Sequence, residues 1–283
     1  MRQRGLVILT IVIFIVFDVF VWQQILFSGL NKNTELYFLD VGQGDSQLVI
    51  LPGGVKILID GGPDKKVLSE LASILRPTDR YIDLVVMSHP QTDHFTGLID
   101  VIKRYKVGVF ISSGNPGPAK SYASLEKAIK DNNVPRVVLG EGDKIGYEEN
   151  NFDVVAPSKV LLLSSEPNDW SLTMNLESQG IKALFTGDID AKEEASLVQK
   201  YDLDIDVLKV AHHGSKFSSS LAFLRAATPQ IAFIEVGRNT YGHPTKDALE
   251  RLAAVGAQIF RADQNGTVKI EVADSKIKVF TKK

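Results

Sequence analysis

The chain carries five histidines, and they fall in three clusters. His89 and His94 lie in Ser88-His89-Pro90-Gln91-Thr92-Asp93-His94, His212 and His213 are adjacent, and His243 sits in Gly242-His243-Pro244. Imidazoles beside a carboxylate on a short, stiff loop are suited to gripping a divalent cation such as zinc or manganese. Cysteine is absent, so disulfides, thiolate metal sites and a thiol nucleophile are excluded.

These groups need strands to position them. Leu84–Met87 is a short apolar, β-branched run that reads as a buried strand ending at His89, with a helix predicted from about Gly97 to Tyr105. Leu36–Asp40 and Gln47–Leu51 read as strands around Val41-Gly42-Gln43-Gly44-Asp45-Ser46, and Val55–Ile59 as a strand ending in Asp60-Gly61-Gly62. Gly42 and Gly44 permit backbone paths that a side chain would obstruct, which lets Asp45 approach a site closely. Further on, Leu172–Leu176 and Lys182–Phe185 form a hairpin-like pair ending in Thr186-Gly187-Asp188. Asp206–Val210 then runs into His212-His213. Asp60, His89–His94, Asp188, His212–His213 and His243 therefore fall at strand ends, where an α/β sheet architecture gathers its functional residues. Asp60 either orients metal ligands or caps the helix expected at Val67–Leu75, and the sequence leaves that open.

The 283 residues are 44% hydrophobic, enough for a sizeable core, and the formal charge of −2 excludes a chain that is basic throughout. Nucleic acid would have to be held by a local patch or by metal. Leu6–Phe27 is an apolar run of membrane-spanning length. Its many Leu, Ile, Val and Phe contribute favourably, against about 3 kcal/mol for Asp18. Arg2 and Arg4 precede it and Lys32 follows, which predicts a cytoplasmic N-terminus and an extracytoplasmic body. A cleaved signal peptide is the rival, but no small-x-small site follows the run. The predicted organisation is a cytoplasmic tail (1–5), a transmembrane helix (6–27), a linker (28–34) and one domain (35–283).

The pieces LDVGQGDS, LIDGG, SHPQTDH, NDWSL, FTGD, LKVAHHGS and VGRNTYGHP occur in this order across nearly all of the part after residue 34. In them the chain resembles the metallo-β-lactamase fold hydrolases, and more closely the nuclease-like domain of the ComEC competence proteins. The resemblance implies an αβ/βα sandwich of two mixed β-sheets flanked by helices, one or two divalent ions, and phosphodiester cleavage. It implies DNA as partner, with a DNA-uptake channel protein nearby. It places the metal ligands at His89, Asp93, His94, Asp188 and His213, with Asp188 as a bridge between two ions. Gln91, His212, Ser171, Asp45 and Asp60 are metal-binding or supporting groups. Gln91 stands where ComEC relatives carry Asp, and a neutral amide is a poorer ligand than a carboxylate. For catalysis, Asp93 is the candidate to orient water and His243 the candidate general acid or phosphate contact, while Lys209 and Arg238 are candidates to neutralise phosphate charge. Two other functions stay open at this point: hydrolysis of small esters, lactones or lactams, and metal-poor, non-catalytic DNA binding.

Overall fold

A computed structural model of the chain describes residues 2–27, 32–273 and 276–283. The first eight-stranded sheet starts from β1 (Thr34–Phe38), whose side chains alternate between buried and half-buried, as a strand with one face on a core requires. It continues through β2 (Gln47–Ile50), β3 (Lys56–Ile59), β4 (Tyr81–Val86), β5 (Lys106–Ser112) and β6 (Arg136–Val138). The second sheet has seven strands: β7 (Lys144–Tyr147), β8 (Asn150–Ala156), β9 (Thr173–Ser178), β10 (Ile181–Phe185), β11 (Val207–Lys209), β12 (Ile231–Ile234) and β13 (Gln258–Arg261). The chain then returns to the first sheet with β14 (Val268–Ala273) and β15 (Lys276–Thr281), and β14 pairs antiparallel with β1. Each sheet is mixed. β3 to β6 run parallel in the first and β10 to β13 in the second, and antiparallel strands complete both.

The helices are α1 (Arg2–Phe27), α2 (Lys66–Ile74), α3 (Thr92–Arg104), α4 (Tyr122–Asp131), α5 (Ala191–Lys200), α6 (Leu221–Ala227), α7 (Lys246–Ala254) and α8 (Ala262–Asn265). Between the sheets lies an apolar layer that includes Phe38, Ile57, Phe152, Met174, Phe185 and Phe233. The Phe38 and Phe233 rings stack at 4.6 Å. A second layer packs Leu71, Phe95, Leu98 and Leu125 of α2–α4 against the outer face of the first sheet, and a third packs Leu197, Phe223 and Leu252 of α5–α7 against the second. Helices on both outer faces and an apolar seam between two sheets give the αβ/βα sandwich that the resemblance implies.

Three expectations need correction. The helix after the histidine loop starts at Thr92, not near Gly97, so Asp93 and His94 lie in its first turn. Gly97 reads as a boundary but has another role, since a Cβ there would meet the Gly61 carbonyl oxygen at 1.9 Å. β7 was not foreseen; it is a four-residue edge strand interrupted by Gly146. The linker ends before Thr34, which already pairs with Val272; residues 28–31 of that linker lie outside the described residues.

The expected transmembrane run falls within α1, where the described apolar side chains from Val7 to Trp22 are exposed or half-buried. The side chains of Leu6 and of residues 23–27 lie outside the described ones. Among the described residues, no helix is long and apolar enough to cross a membrane.

The parallel strands of both sheets end at the same edge, and close backbone packing holds their loops there. Gly44 has φ +151, and a Cβ on it would lie 2.2 Å from the Asp93 carbonyl oxygen. The Asp45 N–H donates to that oxygen, and the Gly61 N–H donates to the His94 carbonyl at 2.7 Å. Gly97→Ala would force the start of α3 away from Gly61. Unfolding by urea is expected to show a loss of about 1–3 kcal/mol, the usual cost of overpacking. An unchanged midpoint would mean that the two loops are not locked together.

Candidate metal centre

Asp60 follows β3, and its backbone adopts the left-handed region at φ 57. Its carboxylate accepts the Ser88 N–H at 2.8 Å and the Ser88 hydroxyl at 2.6 Å. It also accepts the Nδ1–H of His94 at 2.9 Å. Asp60 therefore fixes the His94 ring from behind, as outer partners of metal-binding histidines do. It does not cap α2, whose N-cap is Lys65. With Nδ1 engaged, His94 turns Nε2 toward Asp188 Oδ2, 3.4 Å away.

His213 is held in the same manner from the second sheet. Its Nδ1–H donates to the Glu235 carbonyl at 2.8 Å. Its Nε2 lies 3.3 Å from Asp93 Oδ2 and 3.5 Å from Asp188 Oδ2. Both His212 and His213 have positive φ, 50 and 52, a backbone cost of about 1–3 kcal/mol each that surrounding packing must hold in place. Asp188 follows β10, and its N–H donates to Ser171 Oγ at 3.2 Å.

Ligand atoms of Asp45, His94, Asp188 and His213 all lie within 4.8 Å of one another, and the four residues are buried. Within this group, Asp45 sits on the Nδ1 side of both rings, 3.2 Å from His213 and 3.7 Å from His94. Asp93 and Asp188 sit on the Nε2 side. The atoms free to bind a cation are thus His94 Nε2, His213 Nε2, Asp93 Oδ2 and Asp188 Oδ2, with Asp45 behind them.

The buried Nε2 atoms of His89, His94 and His213 and the oxygen Asp188 Oδ1 have no hydrogen-bond partner. Buried polar atoms are rarely left so, and His94, His213 and Asp188 belong to one cluster. The donor set of imidazole nitrogen and carboxylate oxygen fits a divalent ion of the zinc or manganese type.

Electrostatics agree. Burial alone would lower the pKa of His213, but the Asp188 and Asp45 carboxylates overcome it and raise the value to about 10. His94 is likewise raised well above its ordinary value by Asp188, Asp45 and Asp60 against the effect of burial. Burial opposes ionisation of Asp188, yet His213, His94 and Lys209 hold its pKa well below the usual range. In metal-free protein, then, protonated imidazoles meet the carboxylates' demand for positive charge. Because His213 is raised, its stabilising contribution is full below the ordinary imidazole value near 6.5 and disappears as pH rises through about 10. Metal uptake near neutral pH must expel these protons. Calorimetry in buffers of different ionisation enthalpy should record release of about two per ion bound. Release of none would show that the rings are not ligands.

His89 stands apart from the four. Its Nδ1–H donates to Ser88 Oγ at 3.0 Å, and its ring lies 4.1 Å from that of His94. Burial and the neighbouring His94 charge push its pKa down to about 3. Gln91 donates to Asn168 Oδ1, and Asn168 Nδ2 lies 3.5 Å from His212 Nδ1.

A cavity of about 400 Å³ opens over the cluster, lined by Asp93, Asp188, His212, His213, His243 and Tyr241, with Gln43, Gln91 and Thr92. His243 therefore faces the space where a substrate would sit, 5.7 Å from the His212 ring. Burial and the His212 charge lower its pKa. The two residues expected to neutralise phosphate are not there. Lys209 is buried beneath the cluster, contacting Asp45 and donating to the Gly187 carbonyl at 2.9 Å. Arg238 is exposed and does not line the cavity.

The sequence reasoning passed over Glu235, Tyr241 and the Gln91–Asn168 link. Glu235 had a signal, a carboxylate inside the apolar run Ile231–Val236; it is fully buried and accepts from Ser46 N–H at 3.0 Å and from Gln47. Tyr241 is 74% exposed at the cavity mouth and carried no signal beyond its neighbour His243.

With this geometry in view, comparison with known proteins is informative. The chain is 27% identical over 264 residues to "ComE operon protein 3" of Bacillus subtilis, covering 86% of this chain and 34% of the relative. It is 29% identical over 243 residues to "Competence protein ComA" of Neisseria gonorrhoeae, covering 84% of this chain and 32% of the relative. It thus spans about a third of the length of these relatives. Among solved structures, the metallo-beta-lactamase fold protein YhfI of Bacillus subtilis superposes with a TM-score of 0.60 at 12% identity, covering 85% of this chain and all of YhfI, a likeness of fold alone. Residues 39–237 match the family model described as the metallo-beta-lactamase superfamily, and the chain belongs to that superfamily.

Proposed function

We propose that the chain is a membrane-anchored, metal-dependent phosphodiesterase that cuts DNA outside the cytoplasmic membrane during uptake. The observation that carries the hydrolase part is the convergence of His94, His213, Asp93 and Asp188 at the floor of an open cavity. DNA as substrate rests on the likeness to competence proteins, which supports a role in uptake. The sequence run Leu6–Phe27, in which Asp18 is the one charged residue, supports an anchor. A divalent ion bound at the cluster would supply Lewis acidity and bring the pKa of water toward neutrality. The chain's own residues do the rest. Asp93 stands at the junction of cluster and cavity, where it can orient water. His243 stands across the cavity, able to hand a proton to a leaving oxygen. Tyr241 offers an exposed aromatic face on which a base can stack.

The test is incubation of the purified full chain with single- and double-stranded DNA in manganese or zinc, against the same protein in chelator. Cleavage only with metal is expected. Bound metal with every DNA form intact, and turnover of small esters or lactams instead, would overturn the DNA assignment.

A further inference from the structure

We propose that the centre holds a single divalent ion, and that the buried ammonium of Lys209 takes the electrostatic place of a second. The inference rests on the metal-binding function proposed above and deepens it. One ion position is well furnished, by His94 Nε2, His213 Nε2, Asp93 Oδ2 and Asp188 Oδ2.

A second position, on the other side of Asp188, is not. Apart from the Asp45 oxygens, which face Lys209 and His213, the unpartnered buried donors left beside His94 among the described residues are His89 Nε2 and Asp188 Oδ1. Gln91 would be the third, but it is a neutral amide tied through its nitrogen to Asn168. An imidazole, one shared carboxylate oxygen and an engaged amide fall short of the four or more good donors that a zinc or manganese ion requires.

The shared oxygen also lies beside a fixed positive charge. Lys209 Nζ lies 3.5 Å from Asp188 Oδ1 and contacts Asp45, and Lys209 is only 1% exposed. The Gly187 carbonyl accepts from the same ammonium at 2.9 Å, which fixes its position on the floor of the site. A cation arriving at Asp188 Oδ1 would meet a fixed positive charge that water screens little. Asp188 then divides its two oxygens between a metal and an ammonium.

The experiment counts ions on the full chain loaded with manganese, by native mass spectrometry and by electron paramagnetic resonance. One ion per chain at saturation, with the six-line spectrum of an isolated Mn(II), is expected. Two ions with an exchange-coupled spectrum would overturn the proposal and leave the metal-binding function standing. No retained ion would sink both. A Gln91→His, Lys209→Gln double variant supplies the missing donor and removes the competing charge, and it is expected to take up two ions. A folded double variant that still binds one would overturn the role given to Lys209. Should that variant fail to fold, the count on the unaltered chain decides alone.

Discussion

Asp188→Asn is expected to lower kcat/KM for metal-dependent hydrolysis by about a thousandfold, with the fold retained. The substitution keeps the side chain's shape, so packing among Ser88, Ser171 and Gly187 is undisturbed. What it removes is the charge on the group facing both His94 Nε2 and His213 Nε2. A bound metal contributes several kcal/mol of transition-state stabilisation. Losing about 4 kcal/mol of it corresponds to about three powers of ten at 1.36 kcal/mol each. Metal affinity measured on the same variant should fall in parallel. His89→Asn is the matched contrast. His89 supports the His94 ring and Ser88 but is not among the four converging residues, so a loss of about 10–100-fold is expected, in line with removal of an outer partner. Equal losses in the two variants would place His89 among the primary ligands and move the ion toward β4.

That contrast marks where the sequence stops being legible. The residue types in Ser88–His94, Asp188 and His212–His213 announce metal chemistry because few other purposes assemble imidazole and carboxylate at strand ends. An α/β sheet architecture followed from the apolar runs and the helices between them, and the two-sheet sandwich only from the resemblance carried by the seven motifs. Depth was not legible. Lys209 ends the run Val207–Lys209, where all three residues are buried because one face meets the inter-sheet core and the other meets α5–α7. A lysine at such a strand end points inward, whereas its place beside the motif residues had made it a candidate to neutralise phosphate. Asp45 and Asp60 were equally ambiguous. Which side of an imidazole a carboxylate occupies depends on loops brought together by Gly44, Gly61 and Gly97, residues some 50 positions apart for the first and last. The start of α3 was missed for the same reason, since Gly97 reads as a helix boundary until Gly61 is seen packed against it.

Lys209→Met should destabilise the metal-free protein by about 3 kcal/mol, the low end of the cost of stranding one member of a buried ion pair. The low end applies because His213 and His94 remain 3.2 and 3.7 Å from Asp45 and keep part of its charge compensated. The direction follows from the present balance. Burial opposes ionisation of Asp45, and Lys209 is the largest of the charges that keep its pKa lowered nonetheless. Methionine matches the aliphatic stem, so the loss is not one of packing. Chemical denaturation in chelator would read it as a lower midpoint at unchanged slope. A double-mutant cycle then separates the pair from the site. Asp45→Asn with Lys209→Met removes both charges together, and its loss should be well short of the sum of the single losses, the mark of two groups that interact directly. Simple additivity would mean that Lys209 is held by Gly187 and Asp188 alone, and that the floor of the centre is not the charge-paired unit its geometry describes.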